Sequence, residues 1–202
     1  MKKSGILFVL LFFVFTSYAQ TNTLDSAWVK DNYNKVEKMI PMRDGVKLYT
    51  AIYLPKDTTE KHPILMRRTP YSAAPYGPNN FPDAFWNSYY RLYMRENYIM
   101  VVQDVRGRYM SEGEFVDVRP FIENKKGNEF DEASDTFDAI TWLIENLPHN
   151  NGRVGAFGIS YPGFYATMAG LSEHPALKAV SPQAPVTNWF MGDDFQHNGA
   201  FM

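Results

Sequence analysis

The chain contains no cysteine. That excludes a thiol nucleophile, a disulfide framework and a zinc site built on thiolates, and it leaves the fold to be held by its core. Strong charge of one sign is also missing. Acids and bases are interspersed and the formal net charge is −2, so no basic patch marks a nucleic-acid ligand and no polybasic run marks an anionic membrane. No apolar run reaches the roughly 20 residues that a membrane-spanning helix needs. Histidine is scarce, at four residues. What is abundant is core-forming material: 45% of residues are hydrophobic and 16% aromatic, enough for one packed domain in 202 residues.

The first twenty residues differ in kind from the rest. Lys2 and Lys3 precede an unbroken apolar run from Ile6 to Phe15, and Ser17-Tyr18-Ala19 then places small residues at the cleavage-determining positions. This order of basic, apolar and small residues reads as a secretory signal peptide over 1–19, cut to leave Gln20 first. The expected location is the periplasm or outside the cell, with no stable membrane insertion after cleavage. Residues 20–34 are polar and are expected to form a leader or a short helix.

From Lys35 onward the pattern is strand-like. Arg43-Asp44-Gly45 is a turn signature between Val36–Met42 and the alternating Val46–Leu54, which predicts a hairpin. Short apolar strands are predicted at Pro63–Arg68, Tyr98–Val102, Arg153–Ile159 and Leu177–Pro182. Helices are predicted at Asp83–Glu96, Asp131–Leu147 and Tyr161–Leu171. A hairpin followed by strand–helix alternation predicts an α/β fold with a mostly parallel sheet.

Residues 155–164, GAFGISYPGF, run from one such strand into the next helix. A serine hydroxyl becomes a nucleophile when a base takes its proton and donors hold the oxyanion. A strand-to-helix turn lifts the hydroxyl above the sheet and brings a helix N-terminus beneath the reacting carbonyl. The spacing here is G-x-S-x-x-G, at Gly158, Ser160 and Gly163, where the usual elbow is G-x-S-x-G. On the turn alone, Ser160 as an ordinary helix N-cap remains an equal alternative.

The neighbouring segments carry a resemblance. Gly158–Gly163 resembles the G-x-S-Y-x-G elbow of the α/β-hydrolases that include X-prolyl dipeptidyl aminopeptidases, cocaine esterase, glutaryl acylases and α-amino acid ester hydrolases. Met42–Leu48, Arg68-Thr69-Pro70-Tyr71, Gln103–Arg108 and Ser111-Glu112-Gly113 match further segments of that family in order. The resemblance covers 36–202 and implies an α/β-hydrolase fold, with residues 35–202 as the N-terminal part of its catalytic domain. It implies Ser160 as nucleophile, the Tyr161 backbone N–H as one oxyanion donor and the Tyr71 phenol as the other; a packed loop tyrosine is the alternative for Tyr71. It implies no metal and no organic cofactor. The partner expected is a small-molecule or peptide substrate, and homo-oligomerisation is left open.

The stretch WFMGDDFQHNGAF at 189–201 is similar to one in α-amino acid ester hydrolases and related acylases. There the second aspartate helps bind a substrate α-ammonium, a role that maps to Asp194, with Asp193 beside it. A carboxylate facing an ammonium in a partly desolvated pocket is a sound recognition device. An acidic pair starting a helix is the alternative. The resemblance places the catalytic aspartate and histidine beyond Met202, so the sequence is expected to be a truncated N-terminal portion, inactive alone. Among the histidines present, His62 and His149 are expected to be solvated. His174 lies at a helix end far from the elbow, and His197 can line the pocket. Asp104 with Arg106 is expected to be a fold-holding pair, and Asp135 and Asp138 are expected on the wet face of their helix.

The expected function is a serine hydrolase of esters or amides with a free α-amino group, acting through an acyl-enzyme. The alternatives are an X-prolyl dipeptidyl peptidase, a non-catalytic binding protein on a hydrolase scaffold, or an inactive truncated chain.

Overall fold

The computed structural model describes residues 24–186, together with the backbone of 196–197 and 200–201. The signal-peptide reading of residues 1–19, and Asp193 and Asp194, lie outside the described residues.

The polar segment before the first strand closes into a helix, α1 (Ser26–Asn32), capped by Asp25, whose side chain accepts the Trp28 N–H. β1 (Tyr33–Pro41) and β2 (Lys47–Pro55) form the expected antiparallel hairpin around Gly45. Then follow β3 (His62–Thr69), α2 (Ala84–Asn87), α3 (Tyr90–Arg95), β4 (Ile99–Asp104), α4 (Glu132–Asn146), β5 (Asn150–Ile159), α5 (Tyr161–Leu171) and β6 (Leu177–Gln183). The main sheet has the order β1-β2-β4-β3-β5-β6. β2 pairs antiparallel with β4, and the pairs from β4 through β3 and β5 to β6 are parallel. The carboxyl ends of four parallel strands therefore share one edge, ending at Thr69, Asp104, Ile159 and Gln183.

Handedness decides which face each helix covers. The chain steps one way from β3 to β4 and the other way from β4 to β5 and from β5 to β6. Right-handed crossovers in opposite directions must lie on opposite faces. Accordingly Phe85, Tyr90 and Met94 of α2 and α3 pack with Tyr49, Ala51, Tyr53, Leu65, Met100 and Phe157 on one face. Ala139, Ile140 and Leu143 of α4 pack with Leu48, Ile52, Ile64, Met66, Val101 and Val154 on the other. Strand alternation survives although both faces are covered: odd positions of β2 face one layer and even positions the other. Each fully buried aliphatic or aromatic side chain contributes about 1.5–3 kcal/mol.

The predicted helix over Asp83–Glu96 is two helices. Ser88 Oγ donates to Ala84 O at 2.6 Å and accepts from Tyr90 N at 3.3 Å. A serine side chain that takes over backbone groups competes with the next helical turn, and here it breaks the helix.

Asp135 is not on a wet face. The whole first turn of α4, Glu132 to Thr136, is buried. Asp135 accepts two hydrogen bonds from Arg106, at 2.7 and 3.0 Å, and lies 3.7 Å from Arg68. Arg68 also bonds Gln103 and the Glu132 carbonyl, with Glu132 Oε2 at 3.0 Å. Burial pushes the Glu132 carboxyl up, against the pull of Arg68. Asp138 is half-buried and holds Arg43 through a two-pronged ion pair and the Arg43 N–H. Helical periodicity reports only the average side of a helix; arginines arriving from the sheet edge pair with these acids and so offset the cost of burying them. Nor is Asp104 paired with Arg106. Arg106 turns to Asp44 and Asp135, while Asp104 takes backbone and phenol donors. His62 is buried rather than solvated, with Nε2 2.8 Å from Asp57 O.

Removing one partner of a buried pair leaves an uncompensated charge. Asp135→Asn is expected to destabilise the fold by about 3 kcal/mol in urea melts, while Glu145→Gln, on an exposed position, changes stability by less than about 0.5 kcal/mol.

Candidate active site

β5 ends at Ile159, and Ser160 makes the turn at φ 61°, ψ −123°. That is a left-handed conformation that a residue with a Cβ adopts only under constraint, at about 1–3 kcal/mol. Three contacts supply the constraint. The Ser160 N–H donates to Gln183 O at 3.0 Å, which ties the turn to β6. Its carbonyl accepts from Gly163 N and Phe164 N, which starts α5. The helix start then lies so close to the strand end that a Cβ on Gly158 would sit 2.0 Å from the Pro162 carbonyl oxygen. A Cβ on Gly163 would sit 2.8 Å from Gln183 O. Pro162 fits because an N–H in the first helical turn has no intrahelical partner to lose.

The Ser160 side chain makes no capping hydrogen bond and is exposed. Ser160 thus stands at the N-cap position of α5 without its side chain capping an N–H, at the carboxyl edge of the sheet. Tyr161 is the first residue of α5, where backbone N–H groups point away from the helix toward that edge.

Tyr71 lies two residues past the end of β3, and its N–H donates to Thr69 Oγ1 at 3.0 Å. Its ring meets the Tyr161 ring edge-on, with centroids 6.2 Å apart at 77°. The fold thus brings together Ser160, Tyr161 and Tyr71, which are 90 positions apart at their widest. Asp104 holds the Tyr71 loop in place. It accepts from Ala73 N at 2.5 Å, Tyr76 Oη at 3.1 Å and Met110 N at 3.3 Å, while burial pushes its carboxyl up. Arg108 Nε adds a bond to Pro70 O. The segment 103–113 is likewise architectural. Gly107, at φ 69°, passes so close to Phe115 N that a Cβ would lie 2.0 Å from it, and Ser111 Oγ bridges Asp104 O and Tyr49 N.

Spacing gave no signal for the phenol of Tyr161. It donates to Asp117 and accepts the Val118 N–H at 3.0 Å. Burial, reinforced by Asp117, pushes this phenol up to about 12, so it is neutral at any ordinary pH.

The histidines with described side chains lie away from this edge. His62 and His149 adjoin the amino ends of β3 and β5. His174 sits past the far end of α5, which at 1.5 Å per residue is about 16 Å long. Its Nδ1 accepts from Ala176 N at 3.0 Å and its Nε2 faces Thr141 Oγ1 at 3.1 Å. Burial holds it below the usual imidazole value. A cavity of about 510 Å³ opens over β3, β5 and β6, walled by Leu65, Tyr89, Tyr93, Phe157, Ala179 and Gln183 among others, and not by Ser160, Tyr161 or Tyr71.

An outward serine on a strained strand-to-helix turn, at the carboxyl edge of a mostly parallel sheet with helices on both faces, defines the α/β-hydrolase class. Residues 44–202 match the family described as X-Pro dipeptidyl-peptidase (S15 family), and the chain belongs to that family. It is 32% identical over 176 residues to cocaine esterase of Rhodococcus sp. (strain MB1 Bresler), covering 85% of this chain and 27% of the esterase. Among solved structures, it is similar to an α-amino acid ester hydrolase (40% identity, TM-score 0.74, 93% of this chain and 31% of that one). It is also similar to an aminopeptidase from the marine sediment archaeon Thaumarchaeota archaeon (41% identity, TM-score 0.73, 84% and 28%). The chain thus spans under a third of the length of these relatives.

Two substitutions test the elbow's mechanics. Gly158→Ala is expected to lower stability by about 3 kcal/mol, because its methyl meets backbone that cannot yield. Ser160→Gly, which relieves the positive φ, is expected to raise stability by about 1 kcal/mol; both are read from thermal or urea unfolding.

Proposed function

We propose that this protein is a serine hydrolase of esters or amides, with preference for acyl groups that carry a free α-amino group. The observation that supports it most is Ser160 itself: exposed, uncapped and held at φ 61° at the sheet's carboxyl edge. In this mechanism Ser160 Oγ attacks the substrate carbonyl, and the Ser160 proton passes to a base. The tetrahedral oxyanion is held by the Tyr161 backbone N–H and the Tyr71 phenol, donors set in place before the charge develops. Collapse expels the alcohol or amine, leaving an acyl-enzyme that water resolves. The base is none of His62, His149 and His174, so the mechanism requires a histidine outside the described residues.

Asp194, with Asp193 beside it, is proposed to meet the α-ammonium. The α-amino acid ester hydrolase among the structural neighbours favours an ester or acylase role. The family match favours a second reading, release of X-proline dipeptides, which also needs a free N-terminus. Residues 1–19 are proposed to direct export to the periplasm or beyond.

The test compares an α-amino acid ester, its N-acetylated form, an X-Pro anilide and a glutaryl amide as substrates of the full-length protein. The free-amine ester is expected to be preferred over its acetylated form by at least about tenfold, the worth of one charge-assisted contact. Ser160→Ala is expected to remove about a thousandfold or more of kcat. Wild-type turnover in Ser160→Ala sinks the hydrolase reading; faster cleavage of the X-Pro anilide selects the peptidase.

A further inference from the structure

The half-buried side chain of Tyr161 is held by several neighbours. Its phenol donates to Asp117 Oδ1 and accepts the Val118 N–H. Its ring is stacked on Tyr165 with centroids 5.4 Å apart at 20°, and Tyr71 meets it edge-on. Asp117 and Val118 belong to the long loop between β4 and α4, and Phe115, Val118 and Tyr161 pack against one buried cluster that includes Phe164 and Tyr165.

Two features set this contact apart from an ordinary surface hydrogen bond. First, Val118 is a β-branched residue at φ 45°. Such a residue is a genuine outlier in that region and stays there only when its surroundings over-determine it. The N–H that this conformation aims is the one the Tyr161 phenol accepts. Second, among the described residues Tyr161 is the ring that Tyr71 packs on. A ring braced by one neighbour is only as fixed as that neighbour.

We propose that the Tyr161 phenol, latched to Asp117 and Val118, is a positioning group: it fixes the Tyr161 ring, and through it the Tyr71 ring, beside the serine turn. This rests on the reading of Ser160 as nucleophile and Tyr71 as oxyanion donor. Tyr161 would then serve the reaction twice, with its backbone directly and with its side chain through Tyr71. Misplacing a transition-state donor slows the chemical step and leaves ground-state binding nearly unchanged.

The experiment uses the full-length protein with a p-nitrophenyl ester of an α-amino acid. Tyr161→Phe and Asp117→Ala are each expected to lower kcat about tenfold with KM within about twofold, since both misplace a transition-state donor without touching the substrate. The double variant is expected to be no slower than either single one, because both break one latch. Asp117→Asn, whose amide oxygen still accepts from the phenol, is expected to recover kcat to within about twofold of wild type. Hydrogen exchange gives a readout apart from activity: the Val118 amide is expected to exchange at least about tenfold faster in Tyr161→Phe, while the melting temperature stays within a few degrees. Wild-type kcat in Tyr161→Phe and Asp117→Ala beside a dead Ser160→Ala overturns the latch alone. So do losses that fall on KM or add in the double variant, or an unchanged Val118 exchange rate. Wild-type turnover in Ser160→Ala overturns the site reading and the latch's catalytic role with it.

Discussion

The carboxyl edge of this sheet is organised by one close approach. The start of α5 lies against the end of β5 so tightly that only glycine fits at 158, and against β6 so tightly that only glycine fits at 163 without backbone movement. A turn made this short has no room for a relaxed residue at its apex, so Ser160 takes a positive φ. The bond from Ser160 N to Gln183 O ties the strained turn to the neighbouring strand. What emerges is an exposed serine beside a helix N-terminus, the arrangement that a strand-to-helix elbow supplies.

The edge that carries this turn is held from beneath by charge. Arg68 at the end of β3 and Arg106 just past β4 both reach Asp135 on α4, and Arg106 continues to Asp44 in the hairpin turn. Four segments distant in sequence are thereby pinned at one level. α5 packs on α4, and the Tyr71 loop hangs from Asp104 and Arg108, so the serine and the tyrosine are referred to one frame. Buried ion pairs add little net stability once desolvation is counted, but they are intolerant of misregistration. That intolerance fixes the relative positions of the segments that carry Ser160 and Tyr71.

The sequence made the scaffold legible and the polar interior illegible, for a physical reason. Alternation in β2, the continuous apolar run of β4 and the amphipathic period of α4 are local signals, and each element formed near its expected bounds. Gly158, Ser160 and Gly163 were legible because close packing restricts residue type at fixed spacing. Asp135 was not, because its partner Arg106 lies 29 positions away and a lone acid on a helix looks like a solvated one. Asp117 was illegible for the same reason: it meets Tyr161 across 44 positions, from a loop with no periodicity. His62 looked solvated because it precedes a strand, yet a backbone carbonyl and the neighbouring turn enclose it. Ser88 split a helix through a side-chain bond that propensity does not register. Tyr71 and Tyr161 were singled out by resemblance, and the fold sets their rings in contact.

The central claim is that Ser160 is a nucleophile, and covalent capture tests it most directly. The full-length protein is treated with a fluorophosphonate, digested with trypsin and mapped by mass spectrometry. The peptide of residues 154–178, bounded by Arg153 and Lys178, carries both Ser160 and Ser172, so fragmentation assigns the adduct. A stoichiometric adduct on Ser160, absent in Ser160→Ala, is the expected result. An active protein that takes no adduct, or takes it at another residue, contradicts the account.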